Sequence, residues 1–175
     1  MFWRLARRRL VRVEFWQLAL DKLLYCYTMT PGYSGKPLSK KLGITPGMVV
    51  MTVGAPEDYV DLLMYVPDDV LIVEAAERGA TRAKISSAPA DMIHLFTNSR
   101  DDLFRQLPAL MKLIKQDGAI WVSWYKRAAK LPTEITEDVV REACLPLGLV
   151  DVKVCAVDDR WSGLKLVIRK ENRAF

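Results

Sequence analysis

The chain is poor in the residues that build metal centres and disulfide frameworks. Its three cysteines, Cys26, Cys144 and Cys155, are far apart, and His94 is its one histidine. That excludes a Cys/His metal-ligand spacing and a stapled fold; free thiols in a reducing cytoplasm are the plain reading. Also missing are a serine elbow, a His-x-x-x-His pair and paired carboxylates in helical register. No stretch of about 20 uncharged apolar residues exists, so no transmembrane helix is expected. Nine glycines and nine prolines fall without period, and no segment is of low complexity. What is present is an ordinary globular composition, 51% hydrophobic and 27% charged over 175 residues, which excludes a disordered chain. No residue pattern names a reaction, and no cofactor is assigned from the residues.

The net charge of +5 is unevenly placed. Residues 1–28 hold six basic and two acidic side chains, against twenty and nineteen in residues 29–175. The body is therefore almost neutral, which argues against a broad nucleic-acid footprint. In the first segment Arg4, Arg7, Arg8, Arg9 and Arg12 precede an apolar run broken by Glu14, Asp21 and Lys22. Glu14 stands where the core of a signal peptide would begin, and no small-residue cleavage site follows. Two readings remain. One is a basic amphipathic helix, with Phe2, Trp3, Phe15 and Trp16, resting on an anionic membrane surface or a partner. The other treats residues 1–28 as an upstream-start extension, with a single α/β domain over 29–175.

Pro37 opens a short helix over 37–42, and Gly43 stops it. The valine-rich run 48–53 reads as a strand covered on both faces. A helix over 57–65 follows Gly54-Ala55-Pro56, then a turn at 67–69 and a strand over 70–73 ending at Glu74. A strand near 83–85 is a weak signal, and 92–96 a clear one. Ser99 caps a helix with Asp101 and Asp102 in its first turn. Leu103, Leu107, Leu110, Met111 and Ile114 form its stripe, Pro108 interrupts it, and Asp117-Gly118 ends it. A strand covers 119–124. Thr136 caps the last helix, which Gly148 terminates. Strands at 150–157 and 164–169 flank a loop from Asp158 to Gly163 that holds Trp161. This order predicts a three-layer Rossmann-like α/β sandwich, with a mostly parallel sheet and an antiparallel C-terminal strand pair.

Ligands of such sheets sit beyond the carboxyl ends of the strands. The candidates there are Gly54, Glu74, Ser99, Trp124, Lys126 and Trp161. Glu74 follows Gly54 by the 20 residues that place an acid on ribose hydroxyls, but the glycine-rich turn is absent. A solvated acid is the simpler reading of Glu74. Ser34-Gly35-Lys36 lacks the upstream glycine and strand of a phosphate-binding loop. His94, inside an apolar strand with Asp91 on the opposite face, reads as a core histidine satisfied by a neighbour. Trp121 reads as core. Trp124, with Lys126, Arg127 and Lys130 beyond it, can hold a phosphate, carboxylate or base by stacking and charge, and the 158–163 loop would bring Trp161 toward it. A solvated basic loop is the plainer reading. Cys155 alternates with Lys153, an arrangement that lowers a thiol pKa if both face water.

The segments SGKPLSKKLGITPGM, DMIHLFTNSRDDLFRQLPAL, DGAIWVSW and, above all, GLVDVKVCAVDDRWSGLK at 148–165 resemble a bacterial domain family of unknown function, number 3052, over roughly residues 30–170. The resemblance implies a small cytoplasmic protein about as long as residues 29–175, with no assigned activity and no established functional residue. The fold pattern itself looks like a compact methyltransferase-type Rossmann fold. Two positions depart from the family pattern: Tyr125 stands where proline is usual, and Gly54 where asparagine is. The expected role is a module that binds a small anionic or nucleoside-like ligand or a protein partner, with an adenosylmethionine-dependent methyltransferase-like enzyme as the alternative.

Overall fold

In the computed structural model, residues 35–75 and 89–174 are described. The sheet with its helices belongs to one compact unit, Lys36–Phe175. The expected strand near 83–85 and the readings of residues 1–28 lie outside the described residues.

Helix α1 is Leu38–Leu42, stopped by Gly43 at φ 84°, a backbone region that an L side chain enters at a cost. Strand β1 is Val49–Val53, followed by the single-turn helix α2, Tyr59–Leu62. Strands β2 (Leu71–Glu74) and β3 (Ala90–Phe96) come next. Then follow helix α3 (Arg100–Met111), strand β4 (Ile114–Tyr125) and helix α4 (Glu137–Cys144). Strands β5 (Leu149–Ala156) and β6 (Trp161–Ile168) close the fold. Both long helices begin as their sequences direct: the Ser99 side chain accepts from the Asp102 amide and that of Thr136 from the Val139 amide.

The strands form one six-stranded sheet in the order β2-β1-β3-β4-β6-β5. The pairs β1–β2, β1–β3 and β3–β4 are parallel, and β6 runs antiparallel to both β4 and β5. The mostly parallel Rossmann-like sandwich is as expected, and β6 is inserted inside β5 rather than added at the edge. One face, with Met51, Val53, Ile93, Leu95, Ile120, Val122, Leu164 and Leu166, packs under α3 and α4. The other, with Val50, Met92, Phe96, Trp121 and Trp161, packs under α1 and the α2 segment.

Three expectations are corrected. The α3 stripe ends at Met111, and Ile114 belongs to β4, so Asp117-Gly118 lies within a strand rather than ending a helix. A register irregularity opposite Ala90/Met92 absorbs the extra residues. A Cβ on Gly118 would lie 3.0 Å from the carbonyl oxygens of Asp91 and Lys115, so the close backbone approach there requires glycine. The helix expected over 57–65 is confined to α2. Trp161 opens β6 opposite Tyr125 instead of riding in the loop. Strand β5 carries a bulge: Asp151 faces Leu166 and Lys153 faces Lys165, which leaves Val152 unpaired. Among the described residues no helix is long and apolar enough to cross a membrane.

Candidate functional site at the carboxyl ends of the strands

The chain leaves β1 for β2 on one side and passes from β3 to β4 on the other. The topological switch point therefore lies between β1 and β3, where open α/β sheets bind ligands. A cavity of about 600 Å3 opens at this place. Val53 and Gly54 line it where β1 ends, Ala75 just after β2, and Phe96 and Thr97 where β3 ends. Asp102, Arg105, Gln106, Ala109 and Leu110 of α3 form the remaining wall. Gly54 has φ 61°, so it turns the chain sharply at the mouth. Asp102 is paired with Arg105.

The cavity is badly equipped for phosphates. Pro56 has no amide proton, and α2 is a single turn. At the amino terminus of α3 two amides are already engaged: the Arg100 amide donates to Glu134 at 2.9 Å, and the Asp102 amide to Ser99. Asp102 and Arg105 bring an ion pair into the wall, so these two side chains add no net charge to it.

The six sequence candidates do not converge. Gly54 lines the cavity. Glu74 is exposed at the end of β2, in register with Thr52 and one residue before the lining Ala75. Ser99 is the α3 cap. Trp124 is buried in the aliphatic face, 6% exposed. Trp161 lies on the other face, edge-on to Phe96 at 5.0 Å and against Tyr125 at 4.2 Å. Lys126 is near Trp161: its amide donates to the Arg160 carbonyl and its ammonium to that of Asp158, at 2.7 and 2.5 Å. Trp124 and Trp161 are thus separated by the sheet, because Tyr125, not Trp124, is the register partner of Trp161.

Beneath the rim, His94 is fully buried. Its Nδ1 is 3.1 Å from the Tyr59 hydroxyl, and its Nε2 is 2.8 Å from the Ser123 Oγ. Burial lowers the His94 pKa to about 3 and raises that of Tyr59. A serine beside a histidine suggests a nucleophile, but this one is sealed from solvent and ties β3, β4 and α2 together. Cys155 is not activated: burial pushes its thiol up, and the fields of Lys153, Lys41 and Lys126 only partly offset that. Burial likewise raises the Cys144 thiol to about 11. Among the described residues no group of three or more histidine, cysteine or carboxylate side chains is placed to hold a metal ion.

Residues 39–170 match the model of a family described as a protein of unknown function, DUF3052. The chain belongs to the DUF3052 family. No curated protein matches this DUF3052 chain. Its fold is similar to solved methyltransferases. One is a SAM-dependent methyltransferase from Aquifex aeolicus, with TM-score 0.56 and 16% identity, over 74% of this chain and 87% of that one. Another is the magnesium protoporphyrin IX methyltransferase from Synechocystis PCC 6803, with TM-score 0.52 and 11% identity, over 91% and 98% of the two chains. At such identities the likeness is one of fold.

Asp102, Arg105 and Gln106 were not among the sequence candidates. On a helical wheel they read as the solvated polar side of α3. Only the sheet order, which leaves the carboxyl ends of β1 and β2 beside that side, makes them a cavity wall.

Proposed function

We propose that this DUF3052 chain is a divergent adenosylmethionine-dependent methyltransferase-like protein that holds its nucleoside cofactor in the cavity between β1, β3 and α3. One observation carries the reading: the cavity lies at the switch point of the sheet, its mouth turned by Gly54, in a fold shared with methyltransferases. A nucleoside suits this wall better than a dinucleotide: among the described residues Pro56 lacks an amide proton, and the Arg100 and Asp102 amides of α3 are already engaged, so little is left to cradle a pyrophosphate. Adenosylmethionine supplies the transferable methyl group. The chain's part is to bind the nucleoside, orient it and keep water from it, with Phe96, Val53 and Leu110 as the apolar wall and Thr97, Gln106 and the Asp102–Arg105 pair as the polar one. Glu74, at the adjacent strand end, is within the region where an acid meets ribose hydroxyls.

The test is calorimetric titration of the full chain with adenosylmethionine, adenosine and NAD. Saturable micromolar binding of adenosylmethionine, with NAD silent, is expected. Ala109→Trp fills the cavity from an exposed helix position and should abolish that binding. Absence of heat with every nucleoside ends the proposal. Binding without methyl transfer is the second reading. Ser99, Lys126 and Trp161, which rim the carboxyl end, favour it because each is engaged in internal contacts. It is told apart by whether bound adenosylmethionine is converted to adenosylhomocysteine on addition of small-molecule cell extracts.

A further inference from the structure

We infer that the corner where α1 meets β5 and β6 binds a small phosphate-class anion through Lys41, Lys153 and Lys165. This corner lies on the Trp121 face of the sheet, opposite the α3 cavity, so the inference stands apart from the proposed function.

Lys153 and Lys165 are direct partners across the β5–β6 pair, and the bulge at Val152 is what turns both toward the same face. Like charges directly opposite each other in a sheet are unfavourable. The Lys153 ammonium donates to the Lys41 carbonyl at 2.7 Å, which leaves two of its protons for another acceptor. The Lys165 ammonium sits over Gly43, 3.9 Å from where a Cβ would stand, and its residue is only partly exposed. The Lys41 side chain lies close enough to join Lys153 in the field acting on the Cys155 thiol. The ion pairs among the described residues engage Arg100, Arg105, Lys115, Arg141 and Arg160, and none reaches this corner. Lys153 and Lys165 are thus held together by backbone register, with Lys41 beside them on the helix end whose carbonyl Lys153 meets, and no ion pair among the described residues neutralises them.

A structural role accounts for Lys153, which caps a helix carbonyl, but not for Lys165. A lysine whose only role is to cover apolar surface is placed where its charge reaches water unopposed. Lys165 is instead held partly desolvated, against Lys153, and both effects lower its pKa. A dianion at Lys153 and Lys165, with Lys41 beside them, offsets the repulsion and supplies the counter-charge that the missing water does not. The cluster is one corner wide rather than a stripe, and the body of the chain is nearly neutral, so a single phosphate group fits it better than a polyanion.

The full chain is titrated with inorganic phosphate at an ionic strength held constant with sodium chloride. A saturable rise in melting temperature is expected. Lys165→Gln should weaken the response at least tenfold, while in phosphate-free buffer it should melt no lower than the parent, because it removes a repulsion. Lys153→Gln should lose the response too, and Lys112→Gln, an exposed change just beyond α3, should keep it. A rise no greater than that from chloride overturns the inference. So does a Lys165→Gln protein that melts lower yet responds to phosphate as before.

Discussion

The two faces of the sheet are built on different principles. Under α3 and α4 the layer is aliphatic, with Ile93, Leu95, Ile120, Val122, Leu164 and Leu166 meeting volume with volume. Under α1 and α2 it is aromatic and directional. Trp121 donates to the Leu42 carbonyl at 3.0 Å, His94 joins Tyr59 to Ser123, and Tyr59 and Trp161 stand edge-on to Phe96. The aliphatic face is tolerant because any shape of the right size fills it. The other face holds α1 and α2, which are too short to be stable alone, by bonds that admit few substitutes.

Mutation should expose this difference, most at Trp121. Trp121→Ala removes a fully buried ring and orphans the Leu42 carbonyl, and about 4–5 kcal/mol should be lost in urea unfolding. His94→Leu keeps roughly the volume but leaves two hydroxyls unpaired, at about 1–3 kcal/mol each. Adding Tyr59→Phe and Ser123→Ala to it should restore most of the loss; if the triple variant stays as unstable as His94→Leu, the face is not held by these bonds. A pH profile measures the same cluster. Folded His94 stays neutral down to about pH 3, whereas in the unfolded chain it binds a proton near pH 6.5. Its contribution is complete above about pH 6.5 and declines by up to roughly 1.4 kcal/mol per pH unit as the pH falls toward 3. His94→Gln should flatten that slope. Asp91 adds a loss in the same direction at lower pH; burial opposes its charge, but Lys115 and the Val49 amide outweigh that and hold its carboxyl low. On the aliphatic face, Ile120→Val should cost only about 1 kcal/mol by the same unfolding assay. A larger loss there than at His94 would erase the contrast.

Much of the fold is legible in the sequence, where the signal is local. The valine-rich run of β1, the cap at Ser99, the stripe Leu103-Leu107-Leu110 and the stop at Gly148 each state their structure within a few residues. The satisfied core histidine is legible too, since His94 alternates with apolar neighbours. What is not legible depends on distant partners. Ile114 continues a helical spacing, and only pairing with β3 makes it strand. Gly118 looks like a stop until Asp91 is seen pressing against it. Trp161 looks like a loop aromatic because its neighbours are charged, while Tyr125, which decides its place, is far along the chain. The cavity wall on α3 is hidden for the same reason: nothing in a polar helix face announces that a neighbouring strand ends beside it.

The bulge at Val152 reaches beyond register. β5 is the outermost strand of the described sheet on its side, and Val152 and Val154 are 54% and 47% exposed. A straight strand of that kind is a template on which another chain grows by hydrogen bonding. The unpaired residue twists the free backbone groups out of line, and Lys153 adds a charge to the rim. One supernumerary valine therefore interrupts the run of backbone groups that a straight valine-rich border would offer to another strand.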